Sequence, residues 1–379
     1  MSRLLIIQPY IPSYRVPLFR GLRAELADSG IEMRLIAGRP QGAAAMRGDE
    51  AGGEVLDSYV RQRAFSVGGK SLNVRSVGHE VRAYRPDRIV VEQAVKNLET
   101  YPLLVRDLLS RSGRVGMWGQ GRTFSTAQSR SAGAMKDRLT RRSDWFFSYT
   151  QEGADYVVGH GYDPRRVTVL NNTINTGELS RDLQSVSDSE LDRFRREHGL
   201  TAGLTAIFMG GVDPDKGIDF LLAAARRIGE EVPGFRLLVA GAGRSAGLVR
   251  QMQSAGEPVV FLGRVEGEPK ALALRAADLM MIPQWVGLVA VDSLVAGRPI
   301  VTTRHSSHSP EFGYLTDGSN AIVCDHDVAS YASAVVSALR DRASLAEMQL
   351  QAISDSQRYS LSSMVGRFAG GVRDWMVAP

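Results

Sequence analysis

The sequence predicts an α/β protein of two doubly wound domains, each a parallel sheet with helices on both faces. Three observations predict it. Short apolar runs alternate with amphipathic segments along most of the chain, the pattern of strands buried on both faces and joined by crossover helices. The alternation loosens once, between Thr176 and Ser189, and then restarts. The length of 379 residues, with 44% hydrophobic and 23% charged, suits two domains of ordinary size.

In order along the first domain, Leu4 to Gln8 reads as a buried strand, Pro9 to Pro17 as the loop after it, and Leu18 to Leu26 as a helix with Phe19, Leu22 and Leu26 on one face. Met33 to Ala37 is the second strand, and the Gly- and Ala-rich stretch Gly38 to Gly53 reads as a mobile loop. Arg88 to Glu92, Arg114 to Trp118 and Trp145 to Tyr149 are central strands, and Thr168 to Leu170 supplies another. The polar stretch Thr176 to Ser189 reads as an interdomain linker. Strands then follow at Ala206 to Met209, Arg236 to Ala240, Val259 to Leu262, Leu279 to Pro283, Ile300 to Thr303 and Ala321 to Cys324. Helical patterns lie at Ile218 to Ile228 and Val289 to Ala296, and the tail Leu361 to Met376 carries Met364, Phe368 and Trp375 at helical spacing. The domains are placed at 1–175 and 176–355, with their strand carboxyl ends lining a cleft.

Composition narrows the function. A single cysteine, Cys324, excludes an intrachain disulfide and a cysteine-based metal cluster and fits a reducing cytoplasm. The apolar run Leu4 to Ile7 is too short for a secretion signal, and no window approaches the ~18 apolar residues of a membrane helix. Net charge is +5, but residues 1–180 hold 26 Lys and Arg against 18 Asp and Glu. That basic excess either faces an anionic substrate or lipid, in particular through Arg130, Lys136, Arg138, Arg141 and Arg142, or is a solvated surface. Nucleic acid is not expected, since no basic stripe with interleaved aromatics occurs.

Two stretches share one build: a strand, a tight glycine loop, then a helix whose first amides lack partners. The first runs Phe208-Met209-Gly210-Gly211 through Asp213-Pro214-Asp215-Lys216-Gly217, and the second is Gln284-Trp285-Val286-Gly287-Leu288. Helix starts of this kind hold phosphate, and two of them point to a nucleotide diphosphate. Lys216 alone reads as a solvated lysine; beside both loops, the phosphate reading is better. Asp213-Pro214-Asp215 reads as turn and cap residues instead of a metal site, and no metal is expected. Gly241-Ala242-Gly243 with Gly247 has the wrong spacing for a dinucleotide fingerprint, and the next strand ends at Gly263-Arg264 without the acidic residue a ribose needs.

These residues resemble glycosyltransferase family 4, the retaining sugar-nucleotide transferases of GT-B fold, in which two Rossmann-like domains face each other across a cleft. Pro9-Tyr10-Ile11-Pro12-Ser13-Tyr14-Arg15-Val16-Pro17 is similar to the opening of bacterial polysaccharide-type members. Phe208 to Leu222 resembles the family's Gly-Arg-Leu … Lys-Gly segment, and Asp278 to Val301 its block of two acidic positions around Gly-Leu. The resemblance implies that 1–175 is the acceptor-side domain, with a tail helix within 356–379 packing back on it, and that 176–355 binds the donor. It implies Lys216, with Gly210 and Gly211, at the donor diphosphate, Gly287 and Leu288 at the distal phosphate, and Asp292 at the ribose. Gln284 would face the sugar, Gly263, Arg264 and Val265 the base, Gly243 would belong to the donor-side glycine turn, and Gln120 would lie near the sugar from the first domain. Tyr14, Arg15, Gly119 and Arg122 would line the acceptor side. No cofactor is implied, only a UDP- or GDP-type sugar donor and an acceptor glycan, glycolipid or small molecule, at the inner face of the plasma membrane or in the cytoplasm.

The sequence departs from that pattern at Gly211, where the family has arginine, and at Gln284 and Asp292, where it has glutamate. Arg304 or Arg15 is the candidate replacement for the missing phosphate cation. A neutral amide at 284 supports developing positive charge on a sugar less well than a carboxylate. A sugar-nucleotide binder without full activity therefore stands beside the enzyme reading, and an oxidoreductase is left only a damaged fingerprint.

Overall fold

The computed structural model describes every residue except 43, 44, 46, 47, 68, 69, 111–113, 123–129 and 379. The chain forms two compact units, Met1–Asn172 together with Leu361–Pro379, and Thr173–Ser360.

The first unit contains β1 (Ser2–Gln8), α1 (Val16–Asp28), β2 (Ile31–Ala37), β3 (Ser58–Tyr59), the hairpin β4 (Gln62–Val67) and β5 (Lys70–Arg75), and α2 (Gly78–Tyr84). It continues with β6 (Arg88–Glu92), α3 (Thr100–Ser110), β7 (Arg114–Gly119), α4 (Arg130–Thr140), β8 (Trp145–Ser148), α5 (Gln151–Gly159) and β9 (Val167–Val169). Its seven-stranded sheet has the order β3-β2-β1-β6-β7-β8-β9, all parallel. The central strands are buried on both faces, so their sequences are continuous apolar runs: Leu4 and Ile6 pack into one face's core, Leu5 and Ile7 into the other's. The helix after β1 begins at Val16, earlier than expected, because Pro17 occupies a first-turn position where a missing N–H costs nothing. The hairpin went unread in the sequence because its strands lack the apolar runs of the sheet strands.

The last helix of the chain, α14 (Leu361–Val377), completes this unit's core. Met364, Phe368, Val372 and Trp375 are fully buried, with Phe368 4.7 Å from the Phe147 ring and Trp375 stacked on Trp145. Gly116 on β7 makes room for that indole: a Cβ there would lie 2.9 Å from the Trp375 ring. Trp375 Nε1 donates to Asp144 at 2.7 Å, so the buried indole leaves no donor unpaired.

The second unit opens with α6 (Thr176–Ser185) and α7 (Asp188–His198), which replace the expected linker. Thr176 to Ser189 is polar because these helices bury few positions, not because it is irregular. Ser187 and Glu190 form a reciprocal capping box at the start of α7, and Gly199 ends it in the left-handed conformation. There follow β10 (Thr205–Met209), α8 (Ile218–Glu231), β11 (Arg236–Ala240), α9 (Ala246–Ser254), β12 (Val259–Gly263), α10 (Gly267–Ala276) and β13 (Leu279–Met281). Then come α11 (Val289–Ala296), β14 (Ile300–Thr303), β15 (Ala321–Cys324), α12 (Val328–Arg340) and α13 (Arg342–Ser356). The six parallel strands are ordered β12-β11-β10-β13-β14-β15. Chain direction across the sheet reverses between β10 and β13, which opens a crevice at their carboxyl ends.

Candidate functional site

The crevice between β10 and β13 is bordered by the two glycine loops. After β10, Asp213 begins a tight turn, Pro214–Lys216, and Gly217 leads into α8. Lys216 thus stands just before the helix cap and not in the first turn of the helix. Asp213 Oδ1 accepts from the Arg244 amide at 3.0 Å and from its Nε at 3.2 Å, and these bonds hold the carboxyl below its usual range. Asp213 therefore ties this loop to the glycine turn after β11, where Val212 N also donates to Ala242 O at 2.9 Å. Gly243 lies in that turn against the Val212 backbone.

Gly217 sits at φ 72°, and a Cβ there would lie 2.6 Å from Gln284 Nε2. Glycine at 217 therefore both turns the chain into α8 and lets the Gln284 side chain close over it. Lys216 lies beside Gly211, whose Cβ position would be 3.8 Å from the lysine Cε. Its Nζ stands 3.9 Å from the centre of the Trp285 ring and 3.5 Å from Asp215. The tertiary fold thus brings Gly211, Lys216, Gln284 and Trp285 together from two loops.

The loop after β13 leads into α11, whose cap residue, Leu288, makes no side-chain cap bond. Ala290 N and Val291 N close tight turns onto Gly287 O and Leu288 O at 2.9 Å, so it is the preceding amides, those of Gly287 and Leu288, that present the positive end of this helix. About one turn further, Asp292 is buried and accepts from Lys270 Nζ on α10. Only Oδ1 is engaged in that contact, so Oδ2 retains acceptor capacity.

Sequence reading missed the residues that clamp this loop. Thr303 Oγ1 donates to Pro283 O at 2.6 Å, Ser309 N to Val286 O at 2.9 Å, and Val286 N to His308 Nδ1 at 3.1 Å. His308 Nε2 in turn meets Thr303 O at 2.8 Å, which assigns the proton to Nε2, and the ring stacks on Phe312 at 4.3 Å. Burial holds the His308 imidazole below its ordinary pKa, with His305 and His326 nearby acting in the same direction. The available signal was the cluster His305, His308 and His326 immediately after two strands. Among the described residues no group of three His, Cys, Asp or Glu side chains is placed to hold a metal.

Arg264, after β12, is exposed and paired with Glu266 at 3.1 Å, and Val265 follows it on the same edge. Arg304 faces Asp325 at 3.2 Å and Asp317 at 3.8 Å, so its charge is already met by carboxylates. A cavity of about 440 Å³ between α8, β11 and β12 lies at the opposite edge of the sheet, where Arg226 and Glu257 pair at 2.8 Å.

Tyr14, Arg15, Gly119, Gln120 and Arg122 all belong to the first unit. Arg15 donates to Gln8 Oε1 at 2.8 Å and to the Tyr149 hydroxyl at 2.7 Å, and lies 4.5 Å from the Trp118 ring centre. Its Nε is buried without a partner. The Gly119–Gly121 turn is fixed by Gln93, which exchanges bonds of 3.1 and 3.0 Å with Gly121, and exposed Arg122 pairs with Glu152 at 2.6 Å. On α4, Lys136 is buried with Nζ directed to Arg122 O, and burial lowers its pKa to about 8. It is therefore not part of an outward basic face; the side chain of Arg130 lies outside the described residues. No described helix is long and apolar enough to cross a membrane.

Residues 203–341 match the sequence model of the family Glycosyl transferases group 1. The D-inositol 3-phosphate glycosyltransferase of Corynebacterium kroppenstedtii is 29% identical over 244 residues, 60% of this chain and 52% of that protein. The phosphatidyl-myo-inositol mannosyltransferase of Mycobacterium leprae is 32% identical over 149 residues, 37% of this chain and 38% of that protein. The chain spans about half the length, or less, of these curated relatives. HepE of Anabaena, solved in complex with UDP-glucose, superposes with a TM-score of 0.69 over 98% of this chain and all of that one, at 16% identity. Sucrose-phosphate synthase from Thermosynechococcus elongatus does so with a TM-score of 0.67 over 98% of each chain, at 14% identity. The two Rossmann-like sheets are those of the GT-B fold, and residues 203–341 carry the match to the Glycosyl transferases group 1 family.

Proposed function

We propose that the protein transfers a sugar from a nucleoside diphosphate sugar to an acceptor hydroxyl with retention and without metal. The observation that carries this reading is the pair of glycine loops at the β10/β13 crevice, which place Lys216 and the uncapped start of α11 at one edge of the sheet. A diphosphate there receives charge from Lys216 and amides from Gly287 and Leu288, with ribose hydroxyls at Asp292 and the base near Arg264 and Val265. The same groups stabilise the diphosphate as it leaves, the sugar develops oxocarbenium character beside Gln284, and the acceptor oxygen enters on the face the diphosphate leaves, its hydroxyl proton passing to the departing phosphate oxygen. No protein nucleophile is required. UDP is the first candidate nucleotide, since HepE binds UDP-glucose; GDP is the second.

The loops holding Tyr14 and Arg15 and Gly119 to Arg122 are assigned to the acceptor, a glycan, glycolipid or small molecule of cell-surface or related biosynthesis. The first unit would work in the cytoplasm or at the inner membrane face, where Arg138, Arg141 and Arg142 remain available to anionic lipid. Sedimentation with vesicles containing phosphatidylglycerol, lost at high salt, tests that placement.

A second reading, a sugar-nucleotide binder with weakened turnover, is favoured by two features: Gln284 is neutral, and the Asp292 carboxylate is shared with Lys270. A thermal-shift screen with UDP, GDP, ADP and TDP tests what both readings share, since a ligand stabilises by RT ln(1 + [L]/Kd). No shift with any of them at millimolar concentration overturns both. Hydrolysis of the matching nucleotide sugar then separates enzyme from binder.

A further inference from the structure

Trp285 is the exposed tryptophan of the chain: 39% of its surface is accessible, while Trp118, Trp145 and Trp375 are buried. It is also held at φ 60°, a left-handed conformation that bulky side chains rarely adopt. Strain and exposure at one aromatic residue both oppose stability, so something at this place offsets them. What the ring touches is Lys216, whose Nζ lies 3.9 Å from the ring centre.

We infer that Trp285 is the positioning residue for Lys216, holding the ammonium over its indole face so that the N–H groups stay available to a diphosphate. The inference rests on the donor-site reading above. A carboxylate in this place would hold the lysine equally well but would consume its hydrogen bonds and repel the incoming phosphates. Asp215, at 3.5 Å, makes only a long contact and is itself half exposed. An aromatic face attracts a cation through its quadrupole without neutralising it. The left-handed backbone is what sets the ring there. It turns residue 285 toward the β10 loop while Gln284 closes over Gly217 and Val286 is fixed by His308.

A double-mutant cycle with UDP decides the matter. Glycine adopts φ 60° without strain, so Trp285→Gly keeps the loop conformation while removing the ring. Calorimetric titration to millimolar UDP is expected to show Trp285→Gly weakened about fivefold, and Trp285→Phe weakened by less, as a partly exposed cation–π contact requires. In the Lys216→Ala background, Trp285→Gly should cause no further loss. Parental tryptophan emission should change on adding UDP, and the change should vanish in Trp285→Phe. Parental affinity in Trp285→Gly, or the same loss with and without Lys216, overturns the inference while leaving the donor site standing. Parental affinity in Lys216→Ala overturns the donor site itself, and the inference with it.

Discussion

Lys270 Nζ lies 2.6 Å from Asp292 Oδ1, joining α10 to α11 through a carboxylate whose side chain is 11% exposed. Neither residue can be changed without consequence for the other, yet the two changes differ in kind. Lys270→Met leaves a buried carboxylate without its cation and is expected to cost about 3 kcal/mol of stability, read as a lowered urea midpoint. Asp292→Asn removes the charge and leaves a lysine that can reach water, so its stability cost should be smaller. On the proposed donor-site reading its effect should instead fall on nucleotide affinity, because an amide brings donors to a position proposed to offer ribose hydroxyls an acceptor.

On the proposed donor-site reading, Lys216→Ala removes a charge-assisted hydrogen bond to phosphate of about 1.5–3 kcal/mol and should weaken nucleotide binding roughly tenfold to a hundredfold. Gln284→Ala should leave free nucleotide binding nearly unchanged, since its assigned partner is the sugar, and should alter turnover or sugar preference. Calorimetry with UDP and with the UDP sugar separates the two variants.

His308 must be neutral for its Nδ1 to accept from Val286 N–H. Its folded pKa is lowered by burial, so the unfolded chain binds the extra proton first and stability falls as pH drops below the ordinary histidine value of about 6.5. Loosening of Val286 should weaken UDP binding in the same window. His308→Asn keeps an acceptor near the Nδ1 position but does not titrate, and is expected to flatten that part of the pH profile. His308→Ala should bind poorly at every pH. A His308→Asn profile as steep as the parent's would assign the acid sensitivity elsewhere.

Removing Leu361 to Pro379 should strip the first unit of Phe368 and Trp375 and expose the faces of Trp118, Trp145 and Phe147 that pack against them. Trp375→Ala alone should cost about 3–5 kcal/mol. The truncated protein is expected to aggregate, and equal solubility and an unchanged thermal midpoint would argue against that role for the tail.

The strands of both sheets were legible because each parallel strand buried on two faces must be a short continuous apolar run; Arg88–Glu92, Arg236–Ala240, Ile300–Thr303 and Ala321–Cys324 stand where the sequence places them. The two glycine loops were legible for a similar reason, since only a few residue types make a tight strand-to-helix turn. Local pattern failed where burial was slight, as at α6 and α7, which read as a linker although Ser187 and Glu190 carried a capping signal. It failed wholly for partners distant in sequence. That Trp285 lies against Lys216, that His308 holds Val286, and that Lys270 reaches Asp292 depend on which strands become neighbours. Residues on different loops acquire geometry only when the sheet order puts β10 beside β13 and β13 beside β14, and no periodicity along the chain encodes the distance between them.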